Sequence, residues 1–175
     1  MKKQFLILIS LIVWALINAP ASRGQTLNEV VSSSAQLAEN EAAFDNRSQI
    51  LEEYLEKYNS PLAEYASEFV EAADAYGLDW RLLVAITGVE STYGKFIPKN
   101  SYNAYGWANG AYYFESWPDS IWHVSQALKE KYVDQGANTV DKIGRIYAPP
   151  SPFWAGKVKR LMAKIDSKPH FTLDL

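Results

Sequence analysis

The sequence has no cysteine among its 175 residues. That excludes a disulfide framework, a thiolate nucleophile, a cysteine-ligated zinc and an acylated lipobox cysteine. Histidine is nearly as scarce: His123 and His170 stand far apart with no ligand cluster around them, so neither a metal site nor a cofactor is expected. Charge of one sign is lacking too, with 17 Lys+Arg against 20 Asp+Glu and a formal net charge of -3. The lysines do not run in blocks, so there is no cationic field for nucleic acid. No apolar run reaches the roughly 20 residues of a membrane-spanning helix. The longest, residues 5–17 with Ser10 its one polar member, follows Lys2 and Lys3 and precedes Ala19-Pro20-Ala21. Together they read as a secretory signal peptide over 1–21, placing the protein outside the cytoplasm in the cell envelope or secreted, with a retained anchor as the alternative.

What is present suits one globular domain, since 48% of the residues are apolar. Residues 26–79 are strongly acidic, whereas residues 80–175 are mildly basic. Residues 22–44 are rich in Ser, Ala, Gln, Asn and Glu and have little to bury, so 22–58 is expected to be an acidic helical or linker segment. The domain proper is expected over 59–168, followed by a tail at 169–175.

Within the domain the apolar spacing predicts helix after helix. Ile50, Leu51, Tyr54, Leu55 and Tyr58 recur at helical intervals. Ser60 and Pro61 suit the start of a second helix, whose apolar face runs from Leu62 to Tyr76 before Gly77. Asp79 can cap a third, from Trp80 to about Tyr93, that is apolar on nearly every side and so belongs in the middle of the fold. Ser116, Thr139 and Pro152 mark three further starts. Between the third helix and Ser116, aromatic flanks surround Asn109-Gly110, a pair suited to a type I′ turn, which predicts one small β-hairpin lobe. The fold class expected is mainly α.

Chemistry centres on Glu90. Leu83, Ile86 and Glu90 share one stripe of the most apolar helix, so a carboxyl projects from a face made of hydrocarbon. Desolvation there would favour the protonated carboxyl, the form a general acid uses; the alternative is a Glu90 turned to solvent at the helix end or paired with Lys95. Further on come Asn103-Ala104-Tyr105-Gly106-Trp107, then Ile146-Tyr147-Ala148-Pro149 and Phe153-Trp154-Ala155.

Glu90-Ser91-Thr92-Tyr93-Gly94 and these later elements, in this order, resemble the lysozyme-like superfamily over residues 60–166. The likeness is nearest to bacterial endo-β-N-acetylglucosaminidase domains (glycoside hydrolase family 73-like), with the soluble lytic transglycosylases related. The resemblance implies a helical domain with a small hairpin lobe that cleaves peptidoglycan or a related N-acetylglucosamine-containing glycan. It implies Glu90 as general acid, Ser91 as support for the loop beside it, Asn103-x-x-Gly106 as the entry to the lobe, Tyr147 as the active-site tyrosine and Trp154 as a helix-starting tryptophan. Gly106-Trp107-Ala108 departs from the Gly-Leu-Met element of transglycosylases and favours the glucosaminidase branch.

Glucosaminidases often carry a second acid in the lobe, for which Glu115 is the one candidate before the next helix. If Glu115 only favours a helix start, a single-carboxylate site remains, in which the substrate's N-acetyl oxygen attacks the anomeric carbon and Tyr147 steadies the acetamido group. Seven aromatic residues fall between Tyr102 and Trp117, and Trp107 and Tyr112 are the expected sugar contacts, alongside Ser91, Asn103 and Trp154. The expected protein is a monomeric glycoside hydrolase that associates with the wall or transiently with the membrane. A lytic transglycosylase and a non-catalytic glycan-binding module are the alternatives.

Overall fold

Six α-helices account for most of the chain that the computed structural model describes, residues 45–149 and 151–166. They are α1 (Arg47–Glu56), α2 (Ala66–Tyr76), α3 (Leu82–Ser91), α4 (Trp117–Leu128), α5 (Val140–Tyr147) and α6 (Trp154–Asp166). Two 3₁₀ turns, Ala63–Tyr65 and Trp107–Gly110, and one π turn, Lys129–Val133, complete the set. Among the described residues there is no β-strand and no helix long and apolar enough to cross a membrane. The expected signal peptide, most of the acidic segment and the tail lie outside the described residues.

The helix most apolar in sequence is the most enclosed in the fold. Leu82, Leu83, Val84, Ala85, Ile86 and Thr87 are all buried, and α3 packs chiefly on α6, with a smaller contact to α2. Gly88 lets α3 approach its neighbours: a Cβ there would lie 2.5 Å from Tyr93 Cε1 and 2.7 Å from Leu161 Cδ1. Helix α2 packs between α1 and α4, and α5 lies along α6. Leu51, Leu55, Leu62, Phe69, Ile121, Leu128 and Val158 fill the core that these helices enclose.

Local chemistry sets the helix ends. The Ser116 hydroxyl accepts from Asp119 N–H at 3.1 Å and Thr139 accepts from Lys142 N–H at 3.3 Å, the side-chain caps expected of both. Gly77 ends α2. Ser60 instead caps a turn: its hydroxyl accepts from Leu62 N–H at 3.0 Å and donates to the Tyr93 carbonyl at 2.8 Å, while α2 begins only at Ala66. Helix α3 stops at Ser91, two residues before the predicted end, because Thr92 and Tyr93 take left-handed φ values of 53° and 58°.

The first helix belongs to the same compact unit as the rest, which begins at Asp45. Leu51 and Leu55 are fully buried, and the Arg47 guanidinium donates to both oxygens of Asp74 on α2 at 2.7 Å. The expected division at 58/59 therefore falls between two helices packed on each other.

The β-hairpin lobe is not formed. Asn109 and Gly110 do have positive φ, 54° and 79°, but Gly106 and Ala108 are left-handed as well, and the segment curls into a 3₁₀ turn. A single side chain replaces the ladder. Asn103 Oδ1 accepts from Trp107 N–H at 2.9 Å, and its Nδ2 donates to the carbonyls of Trp107 at 2.9 Å and Tyr112 at 3.0 Å. Both flanks bond to one buried amide, and the one backbone bond between them lies at their base, from Phe114 N–H to the Ser101 carbonyl at 2.9 Å, while Tyr105 and Phe114 anchor them in the core.

Candidate active site

The last turn of α3 opens onto a cleft of about 600 Å³. Glu90, Phe96, Asn109, Tyr147 and Pro149 are among the residues that line it. Glu90 is exposed and not sunk into hydrocarbon: its stripe on α3 is buried as far as Thr87 and then runs out into this opening. It is the one acid among the residues lining the cleft.

Two neighbours define the position of its carboxylate. Trp154 Nε1–H donates to Glu90 Oε1 at 2.6 Å. A Cβ on Gly106 would lie 2.9 Å from Oε2, so only glycine leaves that oxygen room. Oε2 itself has no hydrogen-bond partner among the described residues, which leaves it available to a substrate.

Tyr147 stands beside the acid. Its hydroxyl donates to the Tyr105 carbonyl at 2.6 Å, and its ring stacks on Trp154 with centroids 5.1 Å apart at 25°. Burial first, and the neighbouring Glu90 carboxylate second, hold the Tyr147 hydroxyl well above its ordinary pKa, so it stays a protonated donor. Trp154 is 3% exposed and sits behind Glu90, out of reach of a ligand in the cleft.

Ser91 and Asn103 line the cleft, yet their polar atoms bond to the chain. The Ser91 hydroxyl contacts the carbonyls of Thr87 at 3.0 Å and Ala104 at 2.8 Å and accepts from Gly94 N–H at 2.9 Å. This ties the end of α3 to the segment entering the 106–110 turn. Asn103 organises that turn in the same way. Trp107 is half-buried, near Tyr147 at 6.3 Å and His123 at 6.2 Å. Tyr112 packs against Phe114 and His123 and is not among the residues lining the cleft. Glu115 is also absent from that lining. It is exposed just before the Ser116 cap, and its backbone N–H donates to Asp119 Oδ2 at 3.0 Å.

Phe96 went unnoticed in the sequence. It is 76% exposed on the cleft wall, although its backbone is fixed by a 3.0 Å bond from its N–H to the Ser91 carbonyl. A lone phenylalanine between Lys95 and Pro98, in a loop with nothing for it to pack on, was the available signal. No group of three or more His, Cys, Asp or Glu side chains able to hold a metal occurs among the described residues.

The site thus combines one carboxylic acid with a free oxygen, a protonated phenol beside it, and aromatic and amide surface around them. Such a set can give a proton to a leaving oxygen and take one back. No protein-family model matches the chain, and no curated protein matches it.

Proposed function

We propose that the chain is an exported, lysozyme-like glycosidase that cleaves peptidoglycan in the manner of an endo-β-N-acetylglucosaminidase, with Glu90 as its general acid. The observation that carries this reading is the Glu90 carboxyl in an open cleft, oriented through one oxygen by Trp154 and unpartnered at the other. The leader-like residues 1–21 support action on the wall outside the cytoplasm.

With one acid lining the cleft, the substrate supplies the nucleophile. Glu90 gives its proton to the glycosidic oxygen as the bond from that oxygen to the anomeric carbon breaks. The acetamido carbonyl oxygen of the same sugar bonds to that carbon, forming a cyclic oxazolinium. Tyr147, which lines the same cleft as Glu90, steadies the developing positive charge through its phenol oxygen. Water, deprotonated by the Glu90 carboxylate, then opens the ring and restores the acid. The same single-acid arrangement supports a second reading, a lytic transglycosylase, in which the sugar's own hydroxyl takes the place of water and leaves an anhydro end.

Mass spectrometry of the soluble fragments released from intact peptidoglycan tests the proposal. Wild-type protein is expected to release fragments with reducing N-acetylglucosamine ends, and Glu90→Gln to release none. Anhydromuramyl ends would select the second reading. Binding to the wall without fragments from either protein would replace both with a glycan-binding module.

A further inference from the structure

A second cavity of about 330 Å³ adjoins the cleft. Its lining is Gly106, Trp107, Ala108, Asn109, Tyr132 and Tyr147, of which Gly106, Asn109 and Tyr147 also line the cleft. The two spaces therefore meet along these three residues, and Glu90 stands at the junction, its Oε2 beside Gly106.

Two unusual pieces of backbone present the rings of this cavity. The first is the 106–110 turn, where Ala108 and Asn109 take φ values of 51° and 54°. Side chains with a Cβ adopt that conformation at a cost, and such strain tends to collect at functional sites. The Asn103 amide grips Trp107 at both its N–H and its carbonyl, so the indole projects from a fixed support. The second is the π turn Lys129–Val133, which widens the end of α4 and directs Tyr132 toward Tyr147, with ring centroids 6.1 Å apart. Turns of this kind are also frequent at functional sites.

The chemistry of the wall narrows the ligand. Three rings offer flat apolar faces, while Trp107 Nε1 and the Tyr132 hydroxyl have no hydrogen-bond partner among the described residues. Flat faces with unpaired donors at their edges suit a pyranose, which has CH surfaces and a rim of hydroxyls. None of the six lining residues has a side chain charged at neutral pH, where a phenol keeps its proton. An anionic lactyl or peptide carboxylate would find no counter-ion here.

We propose that the Trp107–Tyr132–Tyr147 cavity is a saccharide-binding site for a neutral N-acetylhexosamine unit, leaving the carboxylate-bearing sugar to the open cleft. This inference rests on the reading of the cleft as a glycan site and sets the register in which the glycan crosses Glu90.

The probe is the neutral tetramer of N-acetylglucosamine, titrated calorimetrically into the full-length Glu90→Gln protein, which cannot consume it. Trp107→Ala and Tyr132→Ala, each checked for native circular dichroism, are expected to weaken binding about tenfold or more. Tyr132→Phe keeps the ring and loses the hydroxyl, so a smaller loss is expected. Affinity should not change between about 50 and 500 mM salt, because a neutral ligand has no charge to screen. Binding unchanged in both alanine variants, or an affinity that falls steeply with salt, overturns the inference. If Glu90-dependent cleavage of peptidoglycan persists in that case, the proposed activity survives the loss. If the tetramer binds through Trp107 and Tyr132 but wild-type protein cleaves nothing, the saccharide site stands and the general-acid reading falls.

Discussion

The indole N–H of Trp154 meets Glu90 Oε1 at 2.6 Å, although 64 positions separate the two residues in the chain. One end of α6 thereby orients a carboxyl at the end of α3, the helix it packs against most extensively. Trp154→Phe keeps a ring against Tyr147 and removes the donor together with the smaller ring of the buried indole. Turnover on peptidoglycan is expected to fall about ten- to a hundredfold with KM little changed, because the indole lies behind the acid and away from the ligand. An unchanged kcat would show that the hydrogen bond does not set the acid's position. Trp154→Ala also removes a buried ring and is expected to lower stability by about 3 to 5 kcal/mol in denaturant titration.

Two glycines in the same turn separate backbone strain from obstruction. Gly106 and Gly110 both have left-handed φ, +65° and +79°, but a Cβ at 106 would sit 2.9 Å from Glu90 Oε2 and one at 110 would meet nothing within 4 Å. Each alanine substitution is expected to cost about 1 to 2 kcal/mol in thermal stability from conformation alone. Only Gly106→Ala should displace the carboxylate and abolish activity. Equal activity loss in the two variants would make strain, not the position of Glu90, the cause.

Phe96→Ala removes a side chain that is 76% exposed, so folding stability should change by less than about 0.5 kcal/mol. If the ring serves as a platform for sugar in the cleft, KM for polymeric substrate rises several-fold and Phe96→Trp restores it. Wild-type kinetics in the alanine variant would assign the ring no part in binding.

Alkali should unfold this protein earlier than its helical content suggests. Burial holds the hydroxyls of Tyr54, Tyr93, Tyr105, Tyr132 and Tyr147 above their ordinary value of 10.0. Above about pH 10 the unfolded chain releases these protons while the folded one keeps them, so the unfolded state binds fewer and stability falls as pH rises. The stabilisation is complete below pH 10 and drains away through the window above it. Chemical denaturation between pH 8 and about 11 measures this. Tyr54→Phe should flatten the alkaline decline, at a cost near neutrality of about 1 kcal/mol for the lost 2.7 Å bond to the Tyr93 hydroxyl.

The helices were legible because their apolar spacing and end residues are local properties of the chain. Ser116 and Thr139 cap where their positions before apolar runs suggested. The hairpin was misread because Asn109-Gly110 reports the turn but not what its flanks bond to. That is decided by Asn103, whose amide captures both flanks from outside the turn. Glu90, Tyr147 and Trp154 could be picked out in sequence, and the fold gathers them, whereas Tyr112 and Glu115 point elsewhere because exposure depends on long-range packing. The stripe that suggested a desolvated Glu90 ends one turn too early, a detail set by where α3 meets the cleft.

The wall carrying Phe96 depends on residues that take no part in the chemistry. The Tyr54 hydroxyl bonds to that of Tyr93, the Ser60 hydroxyl to the Tyr93 carbonyl, and Lys95 Nζ to the Tyr58 carbonyl at 2.7 Å. Two of these three fasteners come from α1 and the turn just after it. A chain begun at residue 59 would keep every reactive group but lose two of these three fasteners, together with the core side chains Leu51 and Leu55. How firmly the Phe96 side of the cleft is held is thus a property of the acidic stretch upstream, and shortening the protein from that end would cost stability together with the shape of the cleft.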